Sequence, residues 1–390
     1  MTIALTGATG FVGKTALDEA VRREEPVHAL TRRTQAPRTH VDWVEGDLSN
    51  PAALATMCHQ ADAVIHVAGL TNTPDPAEFE DANVGGTERL IAAAKEQKVK
   101  RFVFVSSLSA REPGLSAYGA SKAKAESLVE ASGLDWTIVR PPAVYGPRDN
   151  DMLELFRAAR FGVVPVPPRG RTSIIHVEDL ARCLLALGAQ DGSGNIFEPD
   201  DGRPGGYEHA EFAKLIGRAV GKRVITPHLP APLLRLAAKA DRALRGDKAK
   251  LTPDRAGYMA HPDWVCDPAR AIQSSVWTPR IEGPQGLKQT AEQAFKILSF
   301  GGTATVVGMI PVGTMVELHG PEFLMERKMQ GSNMGSNRFR VDMPRFIDFY
   351  LQGRLHLDDL ISGRIKLDDI NDGLEALESG EVARNVIMFE

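Results

Sequence analysis

Residues 2–21 read TIALTGATGFVGKTALDEAV, and the reading of this stretch decides the fold. Ile3 to Leu5 are apolar and read as a short strand. Gly7, Gly10 and Gly13 follow, and a helical pattern then runs through Val21. Glycines at this spacing let the backbone turn tightly, approach a pyrophosphate closely and pack the next helix on the sheet. The phosphates would sit at the helix N-terminus, where unpaired N–H groups and the dipole favour negative charge. Gly7, Gly10, Phe11, Val12 and Gly13 are therefore candidate dinucleotide contacts.

Working outward, PVHALTRR (26–33) reads as the second strand and ends in Thr31, Arg32 and Arg33. An NAD-selective site would place an acidic residue there for the ribose hydroxyls. Guanidinium groups suit a 2′-phosphate instead, so NADP is favoured over NAD, the alternative being that both arginines are solvated loop charges. VEGDLSNPAAL (44–54) places Asp47 and Leu48 just after a short strand, and AVIHVAGL (63–70) is a strand ending at Val67, Ala68 and Gly69. Small side chains at that edge allow a ribose or nicotinamide to lie against the backbone. His66, within this strand, reads as a hydrogen-bonded core histidine. These segments predict an α/β fold, a doubly wound parallel sheet (Rossmann).

RFVFVSSLSA (101–110) is a β-rich run ending in hydroxyls, and SAYGASKAKAESLVE (116–130) is a helix carrying Tyr118 and Lys122. Residues four apart lie on one helix face. A phenol titrates near pH ~10, and a neighbouring ammonium with an oxidised nicotinamide would move that value toward working pH. Ser107, with Ser106 and Ser109 as alternatives, would hold a substrate oxygen beside the phenol.

The residues resemble the extended short-chain dehydrogenase/reductases, a group with epimerase/dehydratase and hydroxysteroid-dehydrogenase-like members. The resemblance covers roughly residues 1–290. It is carried by TGATGFVG, GDL (46–48), HVAG (66–69), NVGGTERLIAAA (83–94), VSS (105–107), YGASK (118–122), RPPAVYGP (140–147) and IIHVEDLA (174–181). It implies Tyr118 as general acid/base, Lys122 as the group that lowers its pKa and holds the nicotinamide ribose, and Ser107 as the residue orienting substrate. It also implies Asp47 at the adenine and backbone contacts to the nicotinamide from Pro141 to Val144. Sugar-nucleotide enzymes of the group carry an asparagine about where Pro142 stands, so a simpler carbonyl or alcohol is the expected substrate.

Composition narrows the function. The chain has 390 residues, 43% hydrophobic and 25% charged, with a net charge of −4. That balance fits a globular protein and argues against a nucleic-acid or anionic-membrane binder. Cys58, Cys183 and Cys266 form no CxxC pair, so no metal site or disulfide framework is indicated. No apolar run reaches the ~18 residues of a membrane span, and the strand pattern beginning at Thr2 leaves no room for a leader, so a cytoplasmic location is expected.

Three regions are expected: a dinucleotide-binding domain over 1–195, a smaller substrate lobe over 196–293 and an appended partial α/β tail over 294–390. In the lobe, Leu233, Leu234 and Leu236 beside Arg235 and Lys239 would either form a lid for a lipid-like substrate or pack on their own lobe. GLKQTAEQAF (286–295) begins like a closing helix. From about Ala294 the text resembles the end of a zinc-type medium-chain alcohol dehydrogenase, with GGTATVVGM (301–309) as a strand. The glycine loop and zinc-ligand segments of that group are missing, so neither zinc nor a second active site is assigned to Arg384 and its neighbours. A natural fusion and a mis-assembly of two genes remain alternatives.

The leading expectation is an NAD(P)-dependent oxidoreductase moving hydride between nicotinamide and an alcohol or ketone. A sugar epimerase/dehydratase and a non-catalytic cofactor-binding scaffold are the alternatives. The oligomeric state is open in the sequence; in the group it resembles, many members dimerise through the helix that carries Tyr118 and Lys122, so a homodimer is one alternative.

Overall fold

In the computed structural model the described residues are 1–73, 75–149, 155–156, 158–159, 162–190, 194–219, 223–234, 236, 238, 241, 251–283, 303–307, 320–332, 339–355, 361, 363–366, 369–370 and 385–388. The glycine stretch folds as its pattern requires. Strand β1 (Ile3–Thr6) is buried along its length, and helix α1 (Phe11–Arg22) starts directly after Gly10. Gly13, Ala16, Leu17 and Ala20 recur at helical spacing and form its buried stripe.

Further strands are β2 (Val27–Thr31), β3 (Val41–Glu45), β4 (Ala63–His66), β5 (Arg101–Val105), β6 (Asp135–Val139), the short β7 (Ala143–Tyr145), β8 (Arg171–Thr172) and β9 (Ile174–His176), and β10 (Asn195–Phe197). Seven of them form one sheet in the order β10-β6-β5-β4-β1-β2-β3, and every neighbouring pair is parallel. Parallel strands need crossovers, and these cover both faces of the sheet. On one face α1 and the helix Val177–Gly188 bury Leu17, Ala20, Leu180, Leu184 and Leu187. On the other lie α2 (Pro51–Cys58), α4 (Gly86–Glu96), which follows the single turn α3 (Pro76–Phe79), and α5 (Ala117–Glu130), with Leu54, Met57, Leu90, Ala94, Ala125 and Val129 inward. Each fully buried leucine contributes ~1.5–3 kcal/mol.

The doubly wound parallel sheet is thus the observed fold. Its chain order reverses between β1 and β4, and ligands of such sheets bind at the carboxyl ends of the strands at that point.

β10 joins this sheet, so the boundary expected at 195–196 falls inside its last strand. A second cluster outside the sheet gathers Tyr145, Val164, Val166, Ile174, Tyr207, Phe212 and Ile216. β8 there lies between strands Tyr207–Glu208 and Asp263–Trp264. Leu234 and Ala238 are buried beside Ala256, whereas Leu233 and Leu236 are exposed. One leucine of this segment thus packs on the lobe while two of its neighbours face outward. All three cysteines are free and buried.

Two compact units divide the chain, Met1–Gln330 and Gly331–Glu390. Thr303–Val307 is a strand, as GGTATVVGM predicts, and pairs with Lys328–Ser332. Among the described residues, no strand beyond Phe197 joins the large sheet. The second unit contains the helix Phe339–Leu351 and a parallel pair, Gly363–Ile365 with Asn385–Ile387. Arg235, Lys239, Arg384, the segment 286–295 and the boundary expected at 293–294 lie outside the described residues.

Candidate functional site

The turn after β1 is built where only glycine fits. Gly7 has φ of +73°, and a Cβ there would stand 2.9 Å from the backbone nitrogen of Ala68. A Cβ on Gly13 would stand 2.1 Å from the Gly7 carbonyl oxygen, so α1 abuts the loop as closely as bare backbone allows. Gly10 donates its N–H to the Gly7 carbonyl at 2.9 Å, closing the turn. Phe11 and Val12, half-buried, open the helix. The cradle fits a pyrophosphate at the first turn of α1.

Beside it lies a cavity of about 730 Å³ lined by Ala8, Thr9, Lys14, Thr31, Arg32, Arg33, Arg38 and Trp43 among others. Its lining holds four cationic side chains and no acidic one. Arg38 is held by Asp18 at 2.8 Å, and Asp18 also pairs with Arg148, which together hold its carboxyl below the usual range against the opposing effect of burial. Among the described residues neither Arg32 nor Arg33 has a carboxylate within ion-pair distance. The Thr31 hydroxyl donates to the Arg33 carbonyl at 2.8 Å and fixes the turn that presents them. Asp47 lies outside this lining; its carboxylate accepts the hydroxyl and N–H of Ser49, which lower its pKa, with smaller contributions from Arg32 and Arg89. The carbonyl of Leu48 accepts from Arg89 at 2.7 Å.

A buried network forms the floor of the crevice. Thr87 donates its hydroxyl proton to the Asn83 carbonyl at 2.6 Å, so it can only accept from His66 Nε2, at 3.0 Å. His66 Nδ1 then accepts from Thr6 at 2.7 Å, and Thr6 Oγ1 accepts the N–H groups of Val67 and Ala68, each at 3.1 Å. Burial and the charge of Lys122 push the imidazole down to about 3, so His66 stays neutral. It is the core histidine expected, and through Thr6 it holds the backbone N–H groups of Val67 and Ala68.

The hydroxyl run after β5 separates into distinct roles. Ser106 donates to Glu126 at 2.5 Å. Glu126 is itself bidentate to Arg140, which lies 3.6 Å from the buried Glu198. Ser107 accepts both the N–H and the hydroxyl of Ser109, at 3.2 and 2.8 Å, which leaves its own proton to favour the phenolate of Tyr118, whose pKa it lowers. Pro141 accepts the N–H of Leu108 at 3.1 Å, and Val144 packs against the sheet core.

Lys122, Ala125, Glu126 and Val129 form the inward stripe of α5, a spacing that drives a lysine and a glutamate into the core. Lys122 Nζ donates to the Val105 carbonyl at 3.0 Å and lies 5.0 Å from the Phe104 ring centroid. Gly69 makes room for it, since a Cβ there would stand 3.1 Å from Nζ. Burial pushes the ammonium down to about 8, with Glu126 opposing. The sequence reading has Lys122 lowering the phenol of Tyr118. Here burial moves that phenol up, the Ser107 hydrogen bond opposes the rise, and the ammonium is engaged on the strand carbonyl.

The lobe closes over this group with residues that sequence reasoning missed. Tyr118 lies between Phe79 and Tyr258, with ring centroids at 5.8 and 6.2 Å. Asp254 accepts the backbone N–H of Ala117 at 2.5 Å and that of Tyr118 at 3.4 Å. Asn83 binds both backbone groups of Leu70 and the Ser121 hydroxyl. Asn83 stood inside a quoted motif, and Lys14 follows Gly13 directly, so both carried a local signal. Asp254 and Tyr258 carried none.

Comparison with known proteins follows this geometry. The family described as "NAD dependent epimerase/dehydratase family" matches residues 3–198. The chain is 36% identical over 277 residues to the ceramide reductase of Caulobacter vibrioides, covering 67% of this chain and 85% of that protein. It is 32% identical over 332 residues to the 2-alkyl-3-oxoalkanoate reductase of Stenotrophomonas maltophilia, covering 74% and 98%. The crystal structure of gox2253 superposes with a TM-score of 0.61 at 22% identity, covering 74% of this chain and 96% of that one, a likeness of fold. The alcohol dehydrogenase class-3 of Cereibacter sphaeroides shares 31% identity over 88 residues, only 23% of either chain, so the expected fusion to a zinc-type dehydrogenase is not supported beyond a partial likeness. With its seven-stranded parallel sheet and glycine cradle, the chain belongs to the NAD dependent epimerase/dehydratase family, as an enzyme of the oxidoreductase type.

Proposed function

We propose that this protein is an NADP-dependent reductase of a ketone on an apolar, lipid-like substrate, with Ser107, Tyr118 and Lys122 as its catalytic residues. The observation that carries the reading is the Ser109–Ser107 hydroxyl pair, whose free proton acts on the Tyr118 phenol, with Phe79 and Tyr258 against the Tyr118 ring. Gly7, Gly10 and Gly13 with the start of α1 would hold the pyrophosphate, and Lys14, Arg32, Arg33 and Arg38 the 2′-phosphate. Asp47 and Leu48 would lie at the adenine, and Val67, Ala68, Gly69, Pro141 and Val144 at the ribose and nicotinamide. When bound, the reduced nicotinamide supplies hydride.

The residues of the chain supply everything else. With substrate bound, Ser107 would turn its one proton from the Tyr118 phenol to the carbonyl oxygen and orient it there. A phenol whose pKa is raised by burial keeps its proton at neutral pH, which suits it to donate to that oxygen as negative charge develops. Lys122 keeps a positive charge at the end of β5, where the ribose hydroxyls would replace or share the Val105 carbonyl.

The aromatic wall and the names of the two relatives, a ceramide reductase and an alkyl-oxoalkanoate reductase, support an apolar carbonyl compound. Pro142 offers no side-chain hydrogen bond to a sugar, which favours reduction over sugar epimerisation. We read the tail as a partial medium-chain-dehydrogenase-like segment without a site of its own.

The test pairs NADPH and NADH fluorescence titrations with turnover of a long-chain β-keto ester. Preference for NADPH and stoichiometric release of oxidised cofactor are expected, and Tyr118→Phe should lose roughly 10²–10⁴-fold in kcat while keeping NADPH affinity. Undiminished turnover by Tyr118→Phe would sink the assignment.

A further inference from the structure

The helix that carries Tyr118 and Lys122 does not finish its own N-terminus. Ser116 caps the N–H of Gly119 at 2.9 Å, and its carbonyl accepts from Ala120 at 3.0 Å. The two N–H groups before these, on Ala117 and Tyr118, are the ones Asp254 takes. Asp254 comes from the helix Pro253–Met259, 137 residues further along the chain. The first turn of α5 is therefore completed by a carboxylate from the substrate lobe.

The docking is close and anchored on several sides. A Cβ on Gly257 would stand 2.4 Å from the Leu115 carbonyl oxygen, so the lobe helix meets the turn before α5 at bare-backbone distance. Thr252 starts that helix by accepting the Arg255 N–H at 3.2 Å and reaches Asn72 at 3.3 Å. The Tyr258 carbonyl accepts from Trp264 Nε1 at 2.9 Å, which ties the end of the helix to the lobe strand Asp263–Trp264. Asp254 and Tyr258 are one turn apart on the helix, so the same element fixes the start of α5 and stands beside the Tyr118 ring.

We propose that Asp254 is a positioning residue: through the first two N–H groups of α5 it sets where Tyr118 stands relative to Ser107, and so makes catalysis depend on seating of the substrate lobe. The inference rests on the reading of Tyr118 as the proton donor. Asp254 touches neither Ser107 nor the cofactor cradle, and its effect passes through the backbone of Tyr118. Seating of the helix on the turn before α5 would assemble the site, and its withdrawal would leave Tyr118 uncapped and free to shift. Displacement of a reacting group by ~1 Å costs up to ~10²-fold in rate.

The test uses the full-length protein in three variants, Asp254→Asn, Gly257→Ala and Tyr118→Phe, with NADPH titration, β-keto ester turnover and the ionisation of Tyr118. The last is followed in NADP-bound protein by the ¹³C resonance of ζ-labelled tyrosine, assigned by its loss in Tyr118→Phe. Asp254→Asn should keep wild-type NADPH affinity, lose about tenfold or more in kcat with KM little changed, and titrate Tyr118 at lower pH, because an anion next to its backbone is removed. Gly257→Ala, which pushes the same helix away, should reproduce the kcat loss with NADPH binding intact.

Wild-type kcat and an unmoved Tyr118 titration in Asp254→Asn would overturn the proposal. If the parent turns over no ester, the titration alone decides. Full turnover by Tyr118→Phe would instead overturn the catalytic reading, whatever Asp254→Asn does to the titration.

Discussion

At the scale of single residues, the most telling group is Lys122. It is buried in the core-facing stripe of α5 with its pKa moved from 10.5 to about 8, burial being the main cause. A lysine whose folded pKa is depressed binds fewer protons when folded than when unfolded between these values, so stability rises with pH across that window. The cost is fully present below about pH 8 and is relieved as pH approaches 10.5, where the unfolded chain also loses its proton. The size of the shift corresponds to a cost on the order of 3 kcal/mol, against which the lost bond to Val105 weighs about 1 kcal/mol. Lys122→Met should therefore be more stable than the parent at neutral pH by roughly 1–3 kcal/mol while losing turnover. Urea unfolding at neutral and at alkaline pH checks this: the gap should narrow as pH rises, and equal stability at neutral pH would contradict it. Lys122 was legible as a partner for Tyr118 because the two are four residues apart, yet its hydrogen bond to a strand carbonyl was not, since spacing along a helix says nothing of what the opposite layer presents. The sequence ranked Ser107 ahead of Ser106 and Ser109, but the hydrogen bonds that set the three apart were not legible in it. Glu126 claims Ser106, and Ser109 donates to Ser107.

At the scale of elements, the glycine loop, the strands of the first half and the Tyr118 helix were readable because each is decided by local chemistry: a backbone that excludes Cβ atoms, an apolar run, a helical stripe. What the end of β2 reads was legible only in part. Arg32 and Arg33 stood out in the sequence, whereas Lys14 from α1 and Arg38 from the following loop join them only when β1, β2 and α1 are packed. Four cations in a lining that holds no acidic residue, with only Arg38 among them paired to a carboxylate behind it, should discriminate by the 2′-phosphate. Replacing Arg32 and Arg33 together by serine should thus weaken NADPH binding about 10²–10⁴-fold, from the loss of hydrogen bonds to charged groups worth ~1.5–3 kcal/mol each, and leave NADH affinity nearly unchanged. Equal weakening for both cofactors would mean that the arginines support the fold of the loop rather than read a phosphate. Lys14→Ala should act in the same sense but less strongly, because its ammonium makes point-charge rather than bidentate contacts. The lobe helix Pro253–Met259 belongs to the opposite case: its link to α5 spans 137 residues, and no pattern within either segment announces it.

At the scale of the whole molecule, the late strand signal in GGTATVVGM is resolved by topology. Thr303–Val307 finds its neighbour in Lys328–Ser332, so its backbone groups are paired locally. The sequence disclosed that strands would appear there but not where they would pair, because pairing depends on which edges the first half leaves open. The seven-stranded sheet draws its last member from Asn195–Phe197, and the cation-lined cavity draws on nothing beyond Trp43. The proposed cofactor site thus draws on the first unit of the chain, whose boundary falls at Gln330. A protein ending at Ser332, which keeps Lys328–Ser332 as the partner of Thr303–Val307, should bind NADPH with a dissociation constant within roughly twofold of the parent, since a unit with its own core folds alone. Fluorescence titration of the shortened and full chains under identical conditions measures this directly. Loss of binding on removing residues 333–390 would show that the first unit does not hold its cradle alone.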